Sequence, residues 1–105
     1  MTNRVDIFKQ MLETDPQNGV VMFGLANEYL KLEKHAEAAE LLQKYVEHET
    51  DEGAAYGMLA RAYHELGHKD QARAAFERGI EVALAHNHPS MAEDYRMMLS
   101  VGDED

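Results

Sequence analysis

Apolar residues recur along this chain with the spacing of an amphipathic helix, and short polar stretches divide them into segments. In the segment after Pro16, one apolar face advances in steps of one, three, one, three and three positions, through Val21, Met22, Leu25, Ala26, Tyr29 and Leu32. Such spacing keeps one side of a helix apolar over about three turns. Asn18 is the predicted N-cap of this helix, and Asp70 is the predicted N-cap of a later one. No segment shows the alternation of a strand.

The segments form two copies of one unit. Sliding the sequence along itself until Gly19 meets Gly53 also pairs Leu25 with Leu59, Ala26 with Ala60, Tyr29 with Tyr63, Ala38 with Ala72 and Leu42 with Phe76. A recurrence of about 34 residues indicates stacked copies of a supersecondary unit. We therefore predict an all-α fold, a right-handed stack of antiparallel helix pairs with about five helices, in one domain.

The repeated positions resemble the tetratricopeptide repeat family. Its motif has a large residue, Leu, a small residue and Tyr on the first helix, then Gly at the turn, then Ala and an aromatic residue or Leu on the second helix. The matching positions are Met22, Leu25, Ala26, Tyr29, Ala38 and Leu42 in one copy, and Tyr56, Leu59, Ala60, Tyr63, Gly67, Ala72 and Phe76 in the other. The departures are Glu33 at the turn glycine, Tyr45 at a usual alanine, and Thr50 and Leu84 at the terminal proline. Leu84 predicts a longer last helix in the second repeat.

The resemblance divides the chain into five parts. Residues 3–14 fit the second helix of a truncated repeat, because Phe8 and Pro16 fall at motif positions. Residues 19–52 and 53–86 are the two full repeats. Residues 89–100 are predicted to form a capping helix or the start of a third repeat, and residues 101–105 an acidic tail.

Members of the family bind peptides or helices of other proteins along the concave face formed by the first helices. Mapped onto this chain, that predicted groove consists of Val20, Phe23, Asn27, Leu30, Lys31, Ala54, Gly57, Met58, Arg61, His64 and Glu65. Phe23, Leu30 and Met58 should form an apolar floor, and Gly57 should leave room beside Phe23. Lys31 and Arg61 should select a carboxylate. Any single polar residue of the set could instead be simply solvated.

Two functions remain open on this basis. The first is a protein-interaction module that holds a peptide or helix of a partner in the groove. The alternative is a scaffold whose repeat ends and methionine-rich C-terminal helix mediate homo-oligomerisation. Binding of chaperone C-termini is rejected, because of the family's Lys and Asn set only Asn27 matches.

The charge balance limits the partners. The chain has 20 acidic and 10 basic residues, a net charge of −10. This charge opposes binding to nucleic acid and to anionic membranes, and it favours a monomer. The absence of cysteine excludes disulfides but leaves the compartment open. Without a signal-peptide pattern or a run of about 20 apolar residues, the chain is predicted to be cytoplasmic.

Neither a metal site nor an enzyme is predicted. His64 and His68 have the i, i+4 spacing of a helical metal-binding pair, but Gly67 should break the helix between them. His86 and His88 lie near a helix end, where an imidazole can interact with the terminal carbonyl groups. A closed zinc site generally needs four ligands, and cysteine is absent. The sequence also lacks a Gly-x-Ser-x-Gly motif and a phosphate-binding loop, so no cofactor is expected.

Overall fold

The structure is a computed structural model that describes residues 3–103 and contains only helices in that range. The six helices are α1 (Arg4–Thr14), α2 (Gly19–Lys31), α3 (His35–His48), α4 (Ala54–Glu65), α5 (Lys69–Ala85) and α6 (Pro89–Asp103). The all-helical class is as predicted, but the count of about five is wrong. Two repeats contribute four helices, and each flanking segment adds one more.

The last two helices are longer than the repeat pattern requires. Helix α5 has 17 residues where its counterpart α3 has 14, in agreement with the longer helix predicted from Leu84. Helix α6 continues to Asp103, so it includes part of the predicted acidic tail. The rest of that tail, Glu104 and Asp105, lies outside the described residues.

Each helix packs against the next helix along the chain, from α1 on α2 to α5 on α6. Connections of three residues join α2 to α3, α4 to α5 and α5 to α6. A connection this short, between helices that remain in contact, makes them antiparallel. The molecule is elongated, with principal extents of 44 × 29 × 18 Å.

Small side chains dominate the interior. The larger core cluster contains Ala26, Ala39, Leu42, Ala55, Leu59, Ala60, Ala62, Ala75, Phe76 and Tyr95. A second cluster joins Val5 of α1 to Leu25 and Tyr29 of α2 and Ala38 of α3. Alanine at a contact lets two helices approach closely, and the few large side chains then fill the remaining space.

Three helices end in the same backbone motif. After α2, Lys34 N–H donates to Tyr29 C=O at 2.8 Å and Glu33 has φ 59°. The ends of α4 and α5 repeat this pattern, with Gly67 at φ 78° and Asn87 at φ 64° in the left-handed position. The motif satisfies carbonyl groups that a helix end otherwise leaves without partners. Glu33 therefore adopts the left-handed backbone conformation that glycine usually supplies at this position, although it has a side chain.

The helix starts agree only partly with the predicted caps. Asn18 caps α2 as predicted, because its Oδ1 accepts from Val21 N–H at 3.2 Å. Asp70 lies within the first turn of α5 and is not its N-cap. Helix α4 has an acceptor that sequence reasoning missed, since Asp51 Oδ2 accepts from the N–H groups of Gly53 and Ala55 at 2.8 and 2.9 Å.

Tyr95 fixes α6 to the second repeat. Its ring lies between Gly57 of α4 and Gly79 of α5, so closely that a Cβ atom at either glycine would collide with it. The Tyr95 hydroxyl donates to Gly53 C=O at 2.8 Å, and the side chain is buried. Phe76 packs on the same ring at 5.6 Å between centroids. The two glycines thus form a slot for one aromatic residue, which we call the Tyr95 slot.

The first repeat fills the equivalent positions differently. The repeat alignment places Phe23 at the position of Gly57 and Tyr45 at the position of Gly79. Phe23 and Tyr45 contact each other, with ring centroids 5.4 Å apart. Their own side chains therefore occupy the space that Tyr95 fills in the second repeat.

The left-handed loop position gives a matched pair of substitutions. Glu33→Gly should stabilise the protein by about 0.5–1 kcal/mol, because the conformation costs an L residue about 1–2 kcal/mol and the extra freedom of unfolded glycine offsets only part of that. Gly67→Glu should destabilise it by about 1 kcal/mol for the converse reason. Urea unfolding midpoints at an unchanged m value measure both effects. Midpoints that move in the same direction would contradict the shared motif.

The Tyr95 slot predicts that substitutions at Tyr95 and Gly57 have strongly non-additive effects on stability. Tyr95→Ala should cost ~3–5 kcal/mol of unfolding free energy, and Gly57→Ala alone ~1–3 kcal/mol by overpacking. In the Tyr95→Ala background, Gly57→Ala should instead stabilise α4 by about 0.5–1 kcal/mol, as glycine replacement in a helix ordinarily does. A double-mutant cycle on urea unfolding measures this reversal of sign. An equal cost for Gly57→Ala in both backgrounds would show that Tyr95 does not occupy the slot.

Candidate protein-binding surface

The predicted groove residues of α2 fall into two groups. Val20, Asn27 and Lys31 are exposed, and the accessible fraction of Val20 reaches 84%. Phe23 and Leu30 are half-buried and pack against the larger core cluster. The helix period explains the division, because residues on the border between the buried and exposed faces contact both the core and solvent.

The predicted residues of α4 show the same division with one exception. Ala54, Arg61, His64 and Glu65 are exposed. Met58 is half-buried against the larger cluster.

Gly57, the exception, is buried beneath the ring of Tyr95. The predicted open space beside Gly57 is therefore wrong. The sequence could not show this, because the ring comes from α6, which lies far from α4 along the chain.

The predicted apolar floor is more buried than expected. Phe23, Leu30 and Met58 all support the core, and the Phe23 ring packs on Tyr45. Each still exposes part of an apolar side chain at the edge of α2 or α4. Together with the exposed Val20, these edges form a shallow apolar surface.

The two bases of this surface have different surroundings. Lys31 Nζ lies 3.5 Å from Glu28 Oε1, and Arg4 of α1 lies 3.6 Å from the same oxygen. Arg61 forms no ion pair with a carboxylate of residues 3–103. Burial raises the pKa of Tyr95, and the positive charge of Arg61 acts in the opposite direction. Arg61 is exposed and lies close enough to α6 to affect the pKa of Tyr95.

A concavity lies between α3, α4 and α5, and its lining contains none of the predicted groove residues. Its volume is about 250 Å³, and it is lined by Gln43, Val46, Tyr56, Leu59, Tyr63, Gln71, Ala74, Ala75 and Arg78. The Tyr63 hydroxyl donates to Gln43 Oε1 at 3.3 Å, and burial raises the pKa of Tyr63. We call this concavity the α3–α5 hollow. The adjacent small residues Ala74 and Ala75 are the one sequence signal that space would be left there.

The histidines do not form a metal centre within residues 3–103. No group of three or more His, Asp or Glu side chains in that range could hold a metal ion. His88 instead contacts Glu52 at 2.7 Å, and this hydrogen bond lowers the pKa of Glu52. None of the helices described is long and apolar enough to cross a membrane.

Comparison with known proteins agrees with the helical repeat. The family model described as "Tetratricopeptide repeat" matches residues 5–55 and 29–88. A TPR repeat-containing protein of Pseudomonas aeruginosa is 28% identical over 95 residues, which cover 90% of this chain and 90% of that protein.

The family matches include most of α1, both proposed full repeats and the connections between them. Tetratricopeptide repeats generally mediate interactions between proteins. With its paired helices, its two copies of one sequence unit and a family match over most of its length, the chain belongs to the tetratricopeptide repeat family.

Proposed function

We propose that this protein is a non-enzymatic interaction module that binds a peptide or helix of a partner protein along the exposed faces of α2 and α4. A right-handed stack of its antiparallel pairs would place these faces side by side on the concave surface. We further propose a cytoplasmic location and a monomer at micromolar concentration, since the charge of −10 opposes self-association.

The local charge of this surface carries the proposal. The ten predicted residues that are not buried include two bases and one acid, whereas the chain as a whole has twice as many acids as bases. An acidic protein that keeps one surface free of acidic excess has a place where another acidic segment can approach without repulsion. Arg61 is the main attractive charge, because Glu28 already pairs with Lys31.

The chemistry of the surface defines the ligand. Val20 and the exposed edges of Phe23, Leu30 and Met58 favour two or three apolar anchors. The Asn27 amide can donate to and accept from the backbone of an extended or helical segment. Arg61 favours at least one Asp, Glu or terminal carboxylate near the anchors. We therefore expect an amphipathic acidic segment.

A displayed peptide library provides the probe without a known partner. Selection on the immobilised full chain should enrich sequences that combine apolar anchors with a carboxylate. A parallel selection on the Arg61→Glu variant should lose that acidic preference, because the attractive charge has been reversed. Enrichment of basic peptides by the unmodified chain would contradict the proposed ligand.

The enriched peptide then tests the site directly. Arg61→Glu should weaken its binding by about tenfold, mainly through a larger koff, because a close charge pair becomes repulsive. Lys44→Glu is the matched control, since Lys44 is an exposed base on α3 outside the surface. It should change the Kd by less than about twofold. Surface plasmon resonance measures both rate constants.

Equal losses from the two variants would contradict the proposed site. The proposed site would also be contradicted if Arg61→Glu left binding unchanged while a substitution in the α3–α5 hollow, such as Ala74→Arg, abolished it. Circular dichroism should be the same for all three variants, because the altered side chains are exposed.

A further inference from the structure

Two exposed apolar patches lie on the first and last helices. The α1 patch consists of Ile7 and Met11, which are 44% and 45% exposed. The α6 patch consists of Met97, Met98 and Val101, at 62%, 42% and 63%. Neither patch belongs to the proposed partner-binding surface. Apolar groups clustered on one side of a helix usually meet another apolar surface.

The repeat alignment indicates that the α1 patch occupies positions at which a second-helix residue normally packs on another helix. The repeat alignment places Ile7 and Met11 at the positions of Leu41 and Tyr45 on α3. In the structure Leu41 packs on the cluster that contains Leu25 and Tyr29, and Tyr45 packs on Phe23. These positions therefore contact the helix that comes before their own in the repeat. Ile7 and Met11 remain 44% and 45% exposed, so within residues 3–103 they are not covered as α2 covers Leu41 and Tyr45.

The α6 patch is a second stripe on a helix that already has a buried side. Ala92 and Tyr95 are buried against the preceding helices. Met97, Met98 and Val101 follow the spacing of one, three and four residues that places side chains on a common face. Helix α6 thus offers one face to its own chain and a different apolar face to solvent.

Charge distinguishes the possible pairings of these patches. Helix α1 contains two bases, Arg4 and Lys9, and two acids. Helix α6 contains Glu93, Asp94 and Asp103 against a single base, and two more acids follow it in the sequence. Two α6 helices would therefore repel each other. Contact between α6 and α1 avoids this repulsion, because α1 has as many bases as acids.

We propose that α6 of one copy packs on α1 of a second copy, so that Met97, Met98 and Val101 cover Ile7 and Met11. The contact joins two different surfaces and leaves one patch free at each end of a pair. It is therefore heterologous and can extend to further copies. The net charge of −10 keeps it weak, so that association requires concentrations above the micromolar range.

Sedimentation velocity tests the association. The weight-average sedimentation coefficient should rise between about 10 μM and about 1 mM, a range suited to a weak contact. Met11→Glu and Met97→Glu should each abolish that rise, because either change disables one side of the contact. The control is Leu32→Glu, because Leu32 is 56% exposed and lies outside both patches. A sedimentation coefficient that is constant over the range would overturn the proposal.

A mixing experiment identifies which surfaces meet. The Met11→Glu variant keeps its α6 patch, and the Met97→Glu variant keeps its α1 patch. Each alone should remain monomeric, whereas an equimolar mixture should form heterodimers and nothing larger, since each pair then retains one working contact. Circular dichroism spectra that match the unmodified chain show that both variants are folded.

Other pairings give different results in the same experiment. Contact between two α6 helices would let Met11→Glu dimerise alone, and contact between two α1 helices would let Met97→Glu do so. A mixture that stays monomeric while the unmodified chain associates would place the contact elsewhere. Each of these results would overturn the α1–α6 pairing. None of them affects the partner-binding proposal, which is tested through Arg61.

Discussion

The placement of one aromatic ring determines how the last helix joins the repeats. Tyr95 fits against α4 and α5 only because Gly57 and Gly79 have no side chains. The same two positions in the first repeat carry aromatic residues that contact each other. One repeat therefore fills its own space, and the other leaves a slot that α6 fills. The buried hydroxyl needs its bond to Gly53, because a buried polar group without a partner is costly.

The features that depend on periodicity could be predicted from the sequence. Apolar spacing and the match between the two copies indicated the helices, the alanine-rich contacts and the family. The features that depend on contacts between residues far apart in sequence could not be predicted. The Tyr95 slot joins residues far apart in sequence, and the Asp51 cap acts across a loop that has no periodic signal. Asp70 has the chemistry of a cap but lies beyond the cap position, which His68 occupies.

The same packing explains the candidate surface. The positions that the motif assigns to a groove are not equally accessible to a ligand. Tyr95 of α6 covers Gly57, and Phe23, Leu30 and Met58 pack against the core. What remains accessible is a shallow apolar edge beside Arg61. Recognition on such a surface depends on a few anchors and one charge rather than on a deep pocket. The α3–α5 hollow is a concavity of about 250 Å³ outside this surface, which makes it the main competing site.

Amide chemical-shift mapping tests the central claim most directly. Titration of the isotope-labelled chain with an enriched acidic peptide would show which helices the ligand contacts. The account predicts that the largest changes lie at the exposed positions of α2 and α4, around Val20, Asn27 and Arg61, with small changes around Gln43 and Gln71. The largest changes around Gln43 and Gln71, with α2 and α4 unaffected, would contradict it.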